Sequence, residues 1–346
     1  MSSRITRWLL RTLAAVAVLV LLVAVCGALY QALSTSSDLR RYPPPGKMVD
    51  VGGHELHLYC SGSGRPVVVL DSPMGSSFLG WSLVQPLIAQ RTRVCSYDRA
   101  GYGWSEPGPL PRTARRIVSE LRTLLSDAGE EGPYVLVGSS VGGCHVRLWA
   151  AEDPGEVSGM VLVDSAREDQ LSRLPGGEDL VAQQLHQLML FRIASHLGLM
   201  RLEDVPIGEA SAGILSPEIE PAARAAGFRS AWADAIYHET AAIEESFAQV
   251  REAVASKPGP LLDDKPLIVL SRGPSAGASP EEAGQEKIWD ELQKEFLTES
   301  TRATRTVVEG SGHFIQTDRP EAVAGAILDV LQQARGESSV SSPSPP

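Results

Sequence analysis

A mostly parallel α/β sheet flanked by helices and interrupted by a helical cap is the fold class this sequence predicts, on three observations. Short apolar runs alternate with helix-like patterns along most of the chain. The runs are continuous in Val and Leu, as strands buried on both faces are. The rhythm then fails over roughly 100 residues between Arg167 and Asp264, where helical patterns stand without strands. Composition agrees: of 346 residues, 43% are hydrophobic and 21% charged, which is too apolar for a disordered chain.

The first element is an apolar helix. Leu13 to Tyr30 carries no charge, about the minimum length needed to cross a hydrocarbon core of roughly 30 Å. Arg4, Arg7 and Arg11 precede it with no acid among them, so the positive-inside rule keeps the amino end in the cytoplasm and exports the rest. Residues 1–33 therefore read as a cytoplasmic stub and a single-pass signal-anchor in the cell membrane, with the following domain extracytoplasmic. A secreted protein cleaved after this segment is the alternative, although no clean A-x-A site follows the run. Val23-Ala24-Val25-Cys26 departs from a lipoprotein box at the bulky Val25. A buried core helix would show a polar face, and none is visible.

Residues 34–48, STSSDLRRYPPPGKM, are rich in Ser and Pro and read as a linker. Strands are expected at 55–59, 67–70, 93–97, 134–137, 159–163, 267–270 and 305–308. Helices such as 113–127, 143–151 and 321–334 would cover them, and 178–199 and 230–255 are examples of helices in a cap over 166–264. The domain spans 49–335, and the polar, Pro-rich 336–346 reads as a disordered tail. No repeat at solenoid or propeller period is found.

Charge and cysteines narrow the function. Lys+Arg of 31 against Asp+Glu of 42 gives a net charge of −11, so the attraction that holds proteins to phosphate backbones is missing and nucleic acid is not an expected partner. Four cysteines, at 26, 60, 95 and 144, form no CxxC pair, and no metal or cofactor is expected. His54-Glu55-Leu56-His57 is not a zinc motif, because its histidines are three apart in a strand pattern on a short surface strand.

Gly138-Ser139-Ser140-Val141-Gly142-Gly143 follows the run 134–137 and precedes a helix. G-x-S-x-G in strand-turn-helix context is a nucleophile elbow, a sharp turn that thrusts the central serine hydroxyl clear of the sheet. Ser140 is the candidate nucleophile. A serine needs a base to take its proton, and Gly310-Ser311-Gly312-His313 follows the last expected strand, where a loop histidine can reach the carboxyl ends of the strands. His313 is the candidate base. His186, His196 and His238 fall in the cap, and His145 reads as packing on the helix after Ser140, with a supporting role left open.

These segments resemble a serine hydrolase of the α/β-hydrolase superfamily from about Val49 to Arg335. Asp98-Arg99-Ala100-Gly101-Tyr102-Gly103-Trp104-Ser105 resembles that superfamily's D-x-R-G-x-G-x-S loop, and Asp71-Ser72-Pro73-Met74-Gly75 sits where its oxyanion loop lies. The resemblance implies an α/β-hydrolase fold with an eight-stranded, mostly parallel sheet. It usually implies an Asp after the seventh strand, but Ser271-Arg272-Gly273-Pro274 offers none. Asp164, ending the preceding strand, is the candidate acid, with Glu281 or Glu282 as alternatives and Asp98 read as a structural brace. The resemblance puts one oxyanion N–H on Val141. The second comes from the 71–75 loop, where Pro73 has no N–H, so Met74 is favoured and Ser72 is the alternative. The superfamily's strand order makes Cys60 and Cys95 neighbours, hence a candidate disulfide in an oxidising compartment. Cys144 reads as a packing residue.

A small-molecule ester or related acyl substrate, opened through an acyl-enzyme intermediate, is the expected activity, of carboxylesterase or lipase type. Serine in place of aspartate disfavours epoxide hydrolysis. Thioesterase, peptidase, acyltransferase and perhydrolase share the same triad, and a non-catalytic binding module on this fold is the alternative from another class.

Overall fold

The computed structural model describes residues 2–202, 215, 217–274 and 279–337. Most of the expected tail lies outside these residues. Eight strands form one sheet: β1 (Lys47–Asp50), β2 (Glu55–Ser61), β3 (Val67–Asp71), β4 (Val94–Tyr97), β5 (Tyr134–Ser139), β6 (Val157–Val163), β7 (Leu267–Arg272) and β8 (Ala303–Val308). Their order is β1-β2-β4-β3-β5-β6-β7-β8. β1/β2 and β2/β4 pair antiparallel and every other neighbour is parallel. This is an α/β-hydrolase fold, and β1 is the strand that apolar pattern alone did not reveal.

The continuous apolar runs are explained by two separate cores. Val68, Leu70, Val135, Val137, Val161 and Val163 face the helix Pro320–Ala334, while Val69, Leu136, Met160 and Leu162 face the other layer. Alternate residues of one strand thus serve opposite faces, so every position is apolar. Local signals fix the helix ends. Ala114–Ala128 stops at Gly129, whose φ of +80° favours glycine. Pro320 begins its helix where no backbone N–H is needed, and Ser279 and Glu282 close a capping box on Pro280–Glu295.

Between β6 and β7 the described residues are helical, with segments Gln170–Arg173, Gly177–His196, Leu199–Leu202, Glu220–Gly227, Ser230–Ala241 and Ile243–Ala255. The expected single helix over 230–255 breaks at Ala242. The break has a packing reason: Ser230–Ala241 lies against Gly177–His196, whereas Ile243–Ala255 turns onto the sheet's own covering helices, Ala114–Ala128 and Gly142–Glu152.

At the amino end, a 40-residue helix runs from Ser2 to Arg41. It is long and apolar enough to cross a membrane by length and composition, a candidate anchor. The stretch from residue 34, expected as linker, is helical through Arg41. Tertiary bonds override its Ser-rich composition: Arg201 in the cap donates to Gln31, Thr35 and Asp38, and Gln31 donates to the Phe228 carbonyl at 2.7 Å.

Candidate active site

The turn after β5 is built by glycine and strain. A Cβ on Gly138 would stand 2.6 Å from the Gly142 backbone, and one on Gly142 would stand 2.5 Å from the Asp71 carbonyl oxygen. Between them Ser140 adopts φ +51°, a left-handed conformation that few side chains tolerate. Hydrogen bonds hold it there: Ser140 N–H donates to Val163 O, and its carbonyl accepts from Gly143 N and Ala166 N. The helix Gly142–Glu152 starts immediately after.

His313 arrives from the edge of the sheet, in the loop after β8. Its Nε2 is 3.0 Å from Ser140 Oγ, and its Nδ1 is 2.7 Å from Asp164 Oδ2. With the ring neutral and its proton on Nδ1, that nitrogen donates to the carboxylate while Nε2 accepts from the serine hydroxyl. The three sequence-picked residues therefore converge at the carboxyl ends of β5, β6 and β8.

Asp164 also has a positive φ, +41°, and is fully buried. Besides His313, its carboxylate accepts from Trp289 Nε1 at 2.9 Å, from Arg272 N at 3.1 Å and from Arg272 Nη1 at 2.6 Å. Burial pushes this carboxyl up, but the His313 hydrogen bond and the Arg272 charge outweigh it and hold it below the ordinary carboxylate range. Arg272 and Trp289 are site residues that sequence reasoning missed. Arg272 ends β7, just before the segment where the resemblance implies an acid, and a cation there is the one signal the sequence offers. The alternative acid Glu282 is occupied at its own helix start, where it accepts from Ser279 N.

The 71–75 loop is fixed from beneath by Arg99. This buried guanidinium donates to Ser72 O at 2.7 Å, Pro73 O at 2.9 Å and Asp71 Oδ1 at 2.9 Å, and grips Glu239 of the cap at 2.9 and 3.1 Å. Gly75 N within the loop donates to the Tyr102 hydroxyl at 3.3 Å. Neither Met74 N nor Val141 N has an acceptor among the described residues. Trp232 Nε1 from the cap donates to Gly75 O at 2.9 Å, closing the loop from above. The Ser72 hydroxyl donates to Ser77 O at 2.9 Å.

Other residues fall elsewhere. His57, read as lying by a surface strand, is fully buried and bonds Asp98 at 2.8 Å, and His54 is buried too; the loop 98–105 folds over that strand and covers it. Asp98 braces as expected, accepting from Phe78 N and Trp104 N. His145 is buried, its Nδ1 2.9 Å from Asp71 Oδ2. Cys60 and Cys95 are directly opposed across β2 and β4 and are disulfide-bonded, with Cα atoms 4.1 Å apart. Glu130 lies close enough to complete a three-ligand cluster with them, but bonded sulfurs offer no thiolate. Cys144 is buried, its thiol pushed up to about 12 by desolvation.

A family model described as the alpha/beta hydrolase family matches residues 58–326. The chain is 26% identical over 322 residues to the efuK protein of Hormonema carpetanum, named as a transporter, covering 85% of this chain but only 44% of that one. It thus spans less than half the length of that curated relative. Among solved structures, the Cif epoxide hydrolase from Acinetobacter nosocomialis superposes with a TM-score of 0.65 at 16% identity, over 88% of this chain and 96% of that one. The enol-lactonase from Burkholderia xenovorans does so with a TM-score of 0.57 at 18% identity, over 83% and 100%.

Proposed function

The chain belongs to the alpha/beta hydrolase family, and from that premise we propose that it is a membrane-anchored serine hydrolase that opens a carboxylic ester through an acyl-enzyme intermediate. The observation that carries this reading is the continuous relay from Ser140 Oγ through His313 to Asp164, at 3.0 and 2.7 Å. Serine at the elbow favours acyl transfer over the alkyl-enzyme chemistry of an aspartate nucleophile.

In the reaction, Ser140 Oγ bonds to the substrate carbonyl carbon as His313 Nε2 takes its proton. The carbonyl oxygen becomes an oxyanion facing the N–H groups of Met74 and Val141. Asp164, held ionised, stabilises the imidazolium. The tetrahedral species collapses, the C–O bond to the alcohol breaks, and His313 returns the proton to the departing oxygen. Water then repeats the sequence and releases the acid, restoring Ser140. The exposed edge of His313, about one-third accessible, allows that water to enter.

The anchor reading is supported by the uncharged run after Arg11 and by the basic residues before it. An extracytoplasmic domain also suits a Cys60–Cys95 bridge. A fluorophosphonate probe tests the chemistry: wild type should label and turn over p-nitrophenyl esters, and Ser140→Ala should lose both, with turnover down by about 10⁴–10⁶-fold. An unlabelled, folded wild type would overturn the reading in favour of a binding module.

A further inference from the structure

The helix and the cap meet at a depth that the sequence itself measures. After Arg11 the next charged side chain is Asp38, and a span of about 20 residues beginning at Thr12 ends at Gln31. Through Val23 the described side chains of this helix are exposed, whereas Ala24, Gly27, Gln31, Ser34 and Asp38 are at least partly covered. Their cover comes from the cap helices Gly177–His196 and Glu220–Gly227. A Cβ on Gly27 would stand 2.5 Å from the Leu197 carbonyl oxygen, and one on Gly198 would stand 2.8 Å from the Tyr30 ring. Leu197 and Gly198 therefore touch the helix inside its apolar run, not beyond it.

The surroundings of that contact suit a bilayer. Leu190, Ile193, Leu199 and Leu202 are 58%, 52%, 46% and 66% exposed. Leu190, Ile193 and Leu197 recur at spacings of three and four, one face of a helix that ends on the apolar rod. No acid occurs in the sequence between Asp179 and Glu203, while Arg192, His196 and Arg201 do, and Arg192 and His196 both reach Asp234 of the neighbouring cap helix, at 2.8 and 3.0 Å. Arg201 turns its charge along the helix to Asp38, away from the apolar run. Such an arrangement suits an interfacial segment: apolar side chains exposed beside an apolar helix, with the nearby charges paired within the protein.

We propose that this corner of the cap, Leu190 to Leu202, is seated in the outer interfacial layer of the same bilayer that the helix crosses, so that lipid covers its exposed apolar side chains. The proposal rests on the membrane-spanning reading of the helix and adds a second, independent point of contact. A catalytic body seated in this way would meet lipid-soluble esters at the surface that dissolves them.

Depth-dependent quenching tests it. On full chain carrying Cys26→Ser, single cysteines at Leu190, Ile193 and Leu199 are labelled with an NBD fluorophore; Cys144 stays unreactive because its buried thiol titrates at about 12. The protein is reconstituted in phosphatidylcholine vesicles carrying doxyl groups either high or low on the acyl chain. Leu19→Cys reports the span, and Asp127→Cys, by the amino ends of the strands, reports bulk water. Shallow doxyl lipid should cut emission at 190, 193 and 199 by about half and leave 127 unchanged. Deep doxyl lipid should quench 19. Quenching at 19 with none at the three cap sites overturns the seating alone; no quenching at 19 overturns the span and the seating together. Probe labelling of Ser140 retained in each variant establishes that it is folded.

Discussion

Two buried aspartates at the carboxyl ends of parallel strands have nearly the same partners and opposite surroundings. Asp164, after β6, takes His313 Nδ1, Arg272 and the Trp289 indole; Asp71, ending β3, takes His145 Nδ1, Arg99 and the Tyr97 hydroxyl. In both, burial raises the carboxyl, and a histidine and an arginine bring it back below its ordinary value. The difference lies beyond the histidine. His313 is one-third exposed and turns its second nitrogen to a strained serine, whereas His145 is 2% exposed, buried against Asp71. An Asp–His–Arg cluster is thus not itself a catalytic signature; what sets the Asp164 cluster apart is a second ring nitrogen turned to the Ser140 hydroxyl and an opening to solvent.

Substitutions should separate the two clusters. Asp164→Asn should lower turnover by about 10⁴-fold, because the amide favours the wrong histidine tautomer, while the protein stays folded. Near-normal steady-state rates would move the acid elsewhere and erase the contrast. Asp71→Asn leaves Arg99 buried with one carboxylate fewer, so denaturant unfolding should reveal a loss of about 3–5 kcal/mol, more than Asp164→Asn loses. The reverse ranking would make the sealed cluster the more dispensable one. A smaller effect is expected from Arg272→Met: turnover down about tenfold, with the acid limb of the pH–rate profile moved to higher pH, because losing the cation beside Asp164 favours protonation of the hydrogen-bonded Asp164–His313 pair. An unchanged profile would reduce Arg272 to packing.

The mildest test is pH. Both carboxyls sit below the ordinary aspartate value when folded, so the unfolded state binds more protons as pH falls. Their contribution is full above the unfolded value and is lost as pH drops through the lower folded values. Melting temperature should therefore fall steadily on acidification below about pH 4, and Asp164→Asn should flatten that slope. A slope unaffected by either Asn substitution would assign the acid sensitivity to other groups, such as Glu168, which is held near about 2 by Arg147 against the opposing effect of burial.

Much of the reactive cluster was legible in sequence because its parts sit where local pattern is strong. Ser140 lies between a Val-rich strand and a helix, His313 in a glycine loop after the last strand, and Asp164 at a strand's end. Arg272 and Trp289 were hidden because they meet Asp164 across 108 and 125 residues of chain, and no periodicity encodes such a meeting. His57 was misjudged because a strand's neighbours cannot be read from its own composition; the 98–105 loop buries it. The helical continuation to Arg41 escaped notice for the same reason, since its support comes from Arg201 in the cap.

Arg99 has a mechanical consequence. One side of its guanidinium grips the carbonyls of Ser72 and Pro73, and the other grips Glu239 in the helix overhead. The cap and the 71–75 loop are therefore riveted to a common pin. Hoisting the cap as a rigid flap would tear a buried ionic pair apart, a steep cost, and would slacken the loop at the same stroke. Traffic of substrate and product is then expected along the seams beside this rivet, where side chains can swing without uncoupling the two layers.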